Sequence, residues 1–302
     1  MSWRKGNRLR VVPEEAAEEG TAAIFAEVKR ALGVPILRLF YPALAAYPPF
    51  LQMHWKLLGP VAGSRELRDQ AERLRADVYT RAHNYLRIPD LCAPMSEMKL
   101  SEAARQELTA ATEFFNSRDP LLLLLFSAQM QALEAPVGRN GPPTPVEAPA
   151  PGEDPPLLVP EETAPVAIRR MYGEMRRVLD LPYVNCEYQA LARWPDFLSL
   201  YWELLKSLRE SPLYRECEYR VQETAWLLAR ELPGPLELPL EQLTEAGVEQ
   251  NDIASLGRIL ELFIKNLSGL VLNLAIARIG LEGGNQLKKK KTPSAGSPGR
   301  AA

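Results

Sequence analysis

Two histidines and three cysteines are all the imidazole and thiolate metal ligands that 302 residues carry. Cys92, Cys186 and Cys217 form no CxxC pair, and no Cys, His and Asp residues fall at the spacing of a tetrahedral metal centre. This argues against a metal enzyme and against a dithiol redox enzyme, and no cofactor is expected. An odd number of unpatterned cysteines also points to a reducing, cytoplasmic setting. The sequence has no GxGxxG turn, P-loop or GxSxG elbow, the usual cradles for dinucleotides, nucleoside triphosphates and an acyl-enzyme serine. Positive charge is not in surplus either. A formal net charge of -2 gives no general attraction for phosphate, so nucleic acid is not an expected partner. The local exception, Lys288 to Lys291, lies in a Pro, Gly and Ser-containing end (282–302) expected to be a disordered basic tail.

Long uninterrupted apolar runs are missing as well. Pro120 to Met130 is too short for a membrane span, and Ile259 to Ile279 is broken by Lys265, Asn266, Ser268 and Asn273, so no membrane partner is expected. The first twenty residues lack the apolar stretch of a secretory signal. Alternating β-branched runs are absent. What the chain has instead is helical periodicity: Leu67, Ala71, Leu74 and Val78 share one face, and Val221, Ala225, Leu228 and Ala229 behave similarly. Apolar residues make up 46% of the chain, enough for one shared core or for two domains.

The chain also repeats itself. Glu27 to Leu58 and Glu174 to Leu205 align without gaps at a spacing of 147 (174 − 27), with 14 of 32 positions identical, including Pro35/Pro182, Tyr41/Tyr188, Phe50/Phe197 and Trp55/Trp202. A repeated scaffold must keep such positions, because each copy buries the same helix face and turns at the same place. Leu100-Ser101-Glu102-Ala103 answers Leu243-Thr244-Glu245-Ala246 more faintly, each with a hydroxyl placed as a helix N-cap. The stretch around Phe114 and Phe115 answers that around Leu262 and Phe263. Between the copies, residues 135–160 carry prolines too densely for helix or central strand and read as a stiff linker. The expected architecture is all-α: two tandem helical repeats, 18–134 and 161–281, forming a pseudo-dimer around a central channel. Pro120 is expected in the first turn of a leucine-rich helix at its centre.

One exchange between the copies bears on chemistry. Glu187 stands where the first copy has Phe40. On the residues alone it is either solvated on a slightly rotated helix face or an acid set into an apolar environment. Asn116, before the leucine run, is either a cap or an amide able to hold a water through donor and acceptor together. Arg38, Arg118, Asn185 and Lys265 are polar insertions in apolar stretches, and His54, opposite Tyr201, reads as a structural helix residue.

The segment Glu187-Tyr-Gln-Ala-Leu-Ala-Arg-Trp-Pro195, the segment Phe115-Asn116-Ser-Arg-Asp-Pro-Leu-Leu-Leu and the linker-joined duplication resemble the group I 2-haloacid dehalogenases. The likeness runs from about Glu18 to Gly280. It implies an all-helical pseudo-dimer with its active site between the repeats and no cofactor. A carboxylate at the position of Glu187, aided by Asn116, would activate water to displace halide directly from carbon 2 of a short haloalkanoate, with inversion. A small 2-substituted carboxylate is the implied partner. Ile36 and Leu39 would line the substrate side from the first repeat, and Asn185 and Cys186 from the second, with Asn185 leaning toward the D enantiomer. The family keeps Asp where this chain has Glu187, and that extra methylene moves the acid by more than about 1 Å. The alternative is a helical relative that binds a small acid or a partner protein without turnover. Trp226 and Tyr219 are positions that could form a homodimer face.

Overall fold

The computed structural model describes residues 9–34, 37, 39–98, 100–146 and 156–285. After a 3-10 turn at Glu14–Ala16, six α-helices run in order: α1 (Glu19–Leu32), α2 (Phe40–Leu44), α3 (Pro48–Ala62), α4 (Arg65–Tyr85), α5 (Cys92–Glu97) and α6 (Glu102–Ala132). Six more follow in the same order of short and long: α7 (Val166–Leu179), α8 (Cys186–Leu191), α9 (Pro195–Glu210), α10 (Pro212–Ala229), α11 (Leu240–Glu245) and α12 (Gln250–Leu281). The fold is all-α. Its only named strands among the described residues are β1 (Arg139–Asn140) and β2 (Pro233–Gly234), two residues each.

Local chemistry is duplicated along with sequence. α1 and α7 both end in a left-handed residue, Gly33 at φ 63° and Asp180 at φ 54°, again 147 apart (180 − 33). Asp is one of the few non-glycine residues that tolerates this region. α3 and α9 start on proline, whose missing N–H costs nothing in a first turn. Ser64 and Ser211 cap α4 and α10, accepting from Leu67 N and Leu213 N. In the two longest helices the buried and exposed positions coincide at 148 instead, so that Phe115 answers Phe263 (263 − 115) and Leu125 answers Asn273. The extra residue is taken up before α11.

The centre is a quartet in which α4, α6, α10 and α12 each pack on the other three. Outer helices cover it, α1 and α2 on α3, and α8 on both α9 and α6. α12 is long and apolar enough to cross a membrane, but 78% of its most apolar window is buried inside this fold. The apolar run is used for the protein's own core. The start of the proline-rich segment is tied down: β1 pairs in parallel with β2, and Val137 bridges Leu236. Gly138 makes that approach possible, at φ 100°, where a Cβ would sit 2.8 Å from the Leu232 carbonyl.

Two local expectations are corrected. Pro120 does not begin a helix; it lies inside the continuous 31-residue α6, and Asn116 is a full turn upstream within the same helix. Proline costs an interior helix one hydrogen bond, here from the Asn116 carbonyl, and burial of the leucines on all sides outweighs that loss. Thr244 is no N-cap either. It sits inside α11, and α12 begins after Glu249 with no side-chain cap bond, whereas Ser101 does cap α6 through Ala104 N. Residues 147–155 of the linker and Lys288 to Lys291 lie outside the described residues.

His54 is a buried histidine in α3, its Nδ1 3.0 Å from Gln129 Oε1, so Nδ1 carries the proton and donates. Burial lowers its pKa to about 4, the Gln129 bond opposing this in part. The ordinary value in an unfolded chain is about 6.5. Between these values the unfolded state binds more protons, so stability is complete above pH 6.5 and falls as pH drops toward 4. The expected loss from this group is about 3 kcal/mol between pH 7 and pH 4. Urea unfolding of wild type and His54→Asn across that range should show a shallower slope in the variant; equal slopes would remove the assignment.

Candidate active site

α8 is only six residues long, a length that does not hold itself as a helix in water, so its position is set by what it packs against. It lies on α6 and α9. Glu187, in its first turn, is 3% exposed, and Asn116 on α6 is 2% exposed. Cys186 packs on a small apolar cluster of Phe114, Phe115, Ala190 and Leu274, which joins the start of α8 to the strip of α6 that leads into Asn116. The choice between a solvated and a buried Glu187 therefore falls to the buried side.

The duplication shows what kind of space this is. In the first half Phe40, the counterpart of Glu187, meets Phe263 at 4.7 Å and Phe126 at 5.7 Å between ring centroids. At the 148 spacing, the residues answering Phe263 and Phe126 are Phe115 and Leu274, both in the cluster beside α8. Where the first half has an all-aromatic contact, the equivalent positions of the second hold an acid, a ring and a leucine.

Asn116 is oriented from its own helix. Its Nδ2 donates to Glu113 Oε2 at 3.1 Å, and because a carboxylate only accepts, this settles which end of the amide is which. Glu113 is held in turn by Arg75, 2.6 Å from Oε1, and by Arg278, 3.8 Å from Oε2. Oδ1 of Asn116 is turned away from Glu113. The backbone carbonyl of the same residue, without a helical donor because of Pro120, adds a second acceptor on this turn.

Asn185, immediately before α8, is 4% exposed and makes a reciprocal amide pair with Asn266 of α12, donating at 3.2 Å and accepting at 2.9 Å. Asn266 also donates to Tyr183 Oη at 3.1 Å. Burial pushes the phenols of Tyr183, Tyr188 and Tyr201 up, and the negative charge of Glu187 adds to each. All three therefore remain protonated within electrostatic reach of that carboxylate. Leu39, half-buried, stands before α2 as the counterpart of Cys186 and belongs to the layer of the first half. Ile36 lies outside the described residues. Sequence reasoning passed over Glu113, whose signal was its place three residues before Asn116 on one helix, and Asn266 and Asn273, read only as breaks in an apolar run.

Two surface clefts lie elsewhere. One of about 450 Å³ is bordered by Arg81, Tyr85, Leu213 and Arg220, and one of about 320 Å³ by Gln131, Trp226 and Arg230. Both are open, and in the first Arg220 is already paired with Glu216 and Glu223.

The fold and this face define an internally duplicated, all-helical protein with a carboxylate and an amide buried on one side of its pseudo-symmetry. The family model described as "Halocarboxylic acid dehydrogenase DehI" matches residues 35–143. An (R)-2-haloacid dehalogenase of Pseudomonas putida is 25% identical over 272 residues, covering 88% of this chain and 90% of the relative. One from Rhizobium sp. (strain NHG3) is 27% identical over 240 residues, 78% of this chain and 93% of its own. Among solved structures, a D-2-haloacid dehalogenase mutant in complex with D-2-CPA superposes with a TM-score of 0.84 at 24% identity, over 91% of this chain and 97% of that one. Over most of its length the chain is thus similar in sequence and in fold to 2-haloacid dehalogenases.

Proposed function

We propose that the protein hydrolyses short 2-haloalkanoic acids to 2-hydroxy acids, without a cofactor, in a site formed where α8 meets α6. The observation that carries this is Glu187, a carboxylate buried in a six-residue helix against the helix that bears Asn116, in a chain similar over most of its length to 2-haloacid dehalogenases. One O–H of a bound water donates to Glu187 and the other to Asn116 Oδ1, which leaves the oxygen lone pair aimed outward. That lone pair attacks carbon 2 as the carbon-halogen bond breaks. Glu187 takes the proton, halide leaves with the bonding electrons, and single displacement inverts the centre. A water fixed beside a carboxylate has the orientation that free solution lacks.

Asn185 and Cys186, just before Glu187, line the substrate from the second half, with Leu39 contributing from the first. Asn185, its amide fixed by Asn266, favours the D enantiomer, in keeping with the (R) selectivity in the names of both relatives. The test is chloride release from D- and L-2-chloropropionate by wild-type protein dialysed against chelator. Release from the D form, faster than from the L form, with L-lactate as product, is expected. No release from either acid would remove the assignment and leave a binding protein.

A further inference from the structure

Glu187 rides on a helix too short to fix its own direction, yet the residues on either side of it are both held by one partner helix. Asn185 is paired with Asn266. Tyr188 Oη accepts from Asn273 Nδ2 at 3.0 Å. Asn266 and Asn273 are seven residues apart on α12 (273 − 266), two turns, and so present both amides on one face.

The bond to Tyr188 is itself fixed from behind. Arg209 has only donors, and its Nη1 donates to Tyr214 Oη at 3.0 Å. Tyr214 Oη then donates to Asn273 Oδ1 at 2.7 Å, which turns Nδ2 toward Tyr188. Tyr201 Oη donates to the Asn273 backbone carbonyl at 2.6 Å. Asn273 is 3% exposed, and its bonds to Tyr188, Tyr201 and Tyr214 are buried.

The Asn273 network is not repeated among the described residues of the other half. The counterparts of Asn273, Tyr214 and Arg209 are Leu125, Leu67 and Ala62. Tyr41, the counterpart of Tyr188, is just as buried, and its hydroxyl has no hydrogen-bond partner among the described residues. A tyrosine ring at this place packs without the network. The network occurs on the side that carries the acid.

We infer that Asn266 and Asn273 are positioning residues, a two-point clamp from α12 that sets α8, and with it Glu187, against Asn116. This rests on the proposed role of Glu187 as base. The proposed substrate contacts include neither Tyr188 nor Asn273, so the effect is expected on the chemical step. Tyr188→Phe and Asn273→Leu should each lower kcat about 10- to 100-fold, the cost of misplacing a reacting group by up to about 1 Å, while KM changes less than about threefold. The two together should cost no more than one alone, because they break the same bond. Tyr41→Phe, the same change at the counterpart, should leave kcat unchanged.

Hydrogen exchange read by mass spectrometry gives a second readout that needs no turnover. Asn273→Leu should speed exchange in residues 186–191 and not in 40–44. Equal kcat for Tyr188→Phe and Tyr41→Phe, or unchanged exchange in α8, would overturn the clamp. If wild type releases no halide, the reading of Glu187 as base fails by itself, and exchange in α8 still decides the clamp.

Discussion

Glu187→Gln is expected to lower halide release about a thousandfold, equivalent to about 4 kcal/mol in the barrier, within the range that general base catalysis supplies. Gln keeps the length and most of the shape of the side chain, so the contacts of a residue only 3% exposed are preserved while its capacity to accept a proton is lost. The loss should fall on kcat, with far-ultraviolet circular dichroism unchanged. Glu187→Asp keeps the acid and withdraws it by one methylene. It should lie between wild type and the Gln variant, at about a hundredfold loss, because the packing around α8 is built for the longer side chain. Wild-type turnover in Glu187→Gln would exclude this residue as the base.

The largest structural effect is expected from Phe126→Ala. The Phe126 ring is fully buried and touches Phe40, Tyr41, His54 and Phe263 at centroid distances of 5.6 to 6.0 Å, so it joins α6, α2, α3 and α12 at one point. Removing a buried phenylalanine costs about 3–5 kcal/mol through lost transfer energy and an unfilled cavity. Four surrounding aromatic or imidazole rings are poorly able to collapse into the gap, which places the expected value at the upper end. Urea unfolding followed by tryptophan fluorescence measures this. A loss under about 1 kcal/mol would show that the cluster repacks and is not a keystone of the first half.

Much of this architecture was legible in the residues. The faces read from Leu67, Ala71, Leu74 and Val78 and from Val221, Ala225, Leu228 and Ala229 are buried faces of α4 and α10. The gapless alignment foretold the order α1 to α3 and α7 to α9, because identical caps and prolines stop and start helices at identical places. Pro120 misled for a physical reason: proline is a local signal, and its cost of a few kcal/mol is smaller than what burial of a leucine run on every side returns. Thr244 misled because a hydroxyl before an apolar run marks a cap only when the chain is extended there. The acid and the amide of the site could be singled out because each departs from its repeat or its surroundings. Asn266 and Asn273 stood in plain view, but their partners lie 81 and 85 residues away, and nothing in a linear pattern joins Asn185 to one or Tyr188 to the other.

The two halves share one quartet of helices, and this has a consequence for how such a site could arise. Two identical subunits related by a true twofold must carry the same residue at both equivalent places. If one pocket holds an acid, so does the other, and each gain in reactivity is charged twice against the stability of the assembly. Joining the copies in one chain lifts that constraint. Position 40 can settle into a phenylalanine contact while position 187 takes a buried carboxylate, and the leucine at 125 can face an asparagine at 273. Covalent linkage lets the two lobes differ at equivalent places, one closing on rings and the other keeping a buried acid, an asymmetry closed to a strictly twofold homodimer.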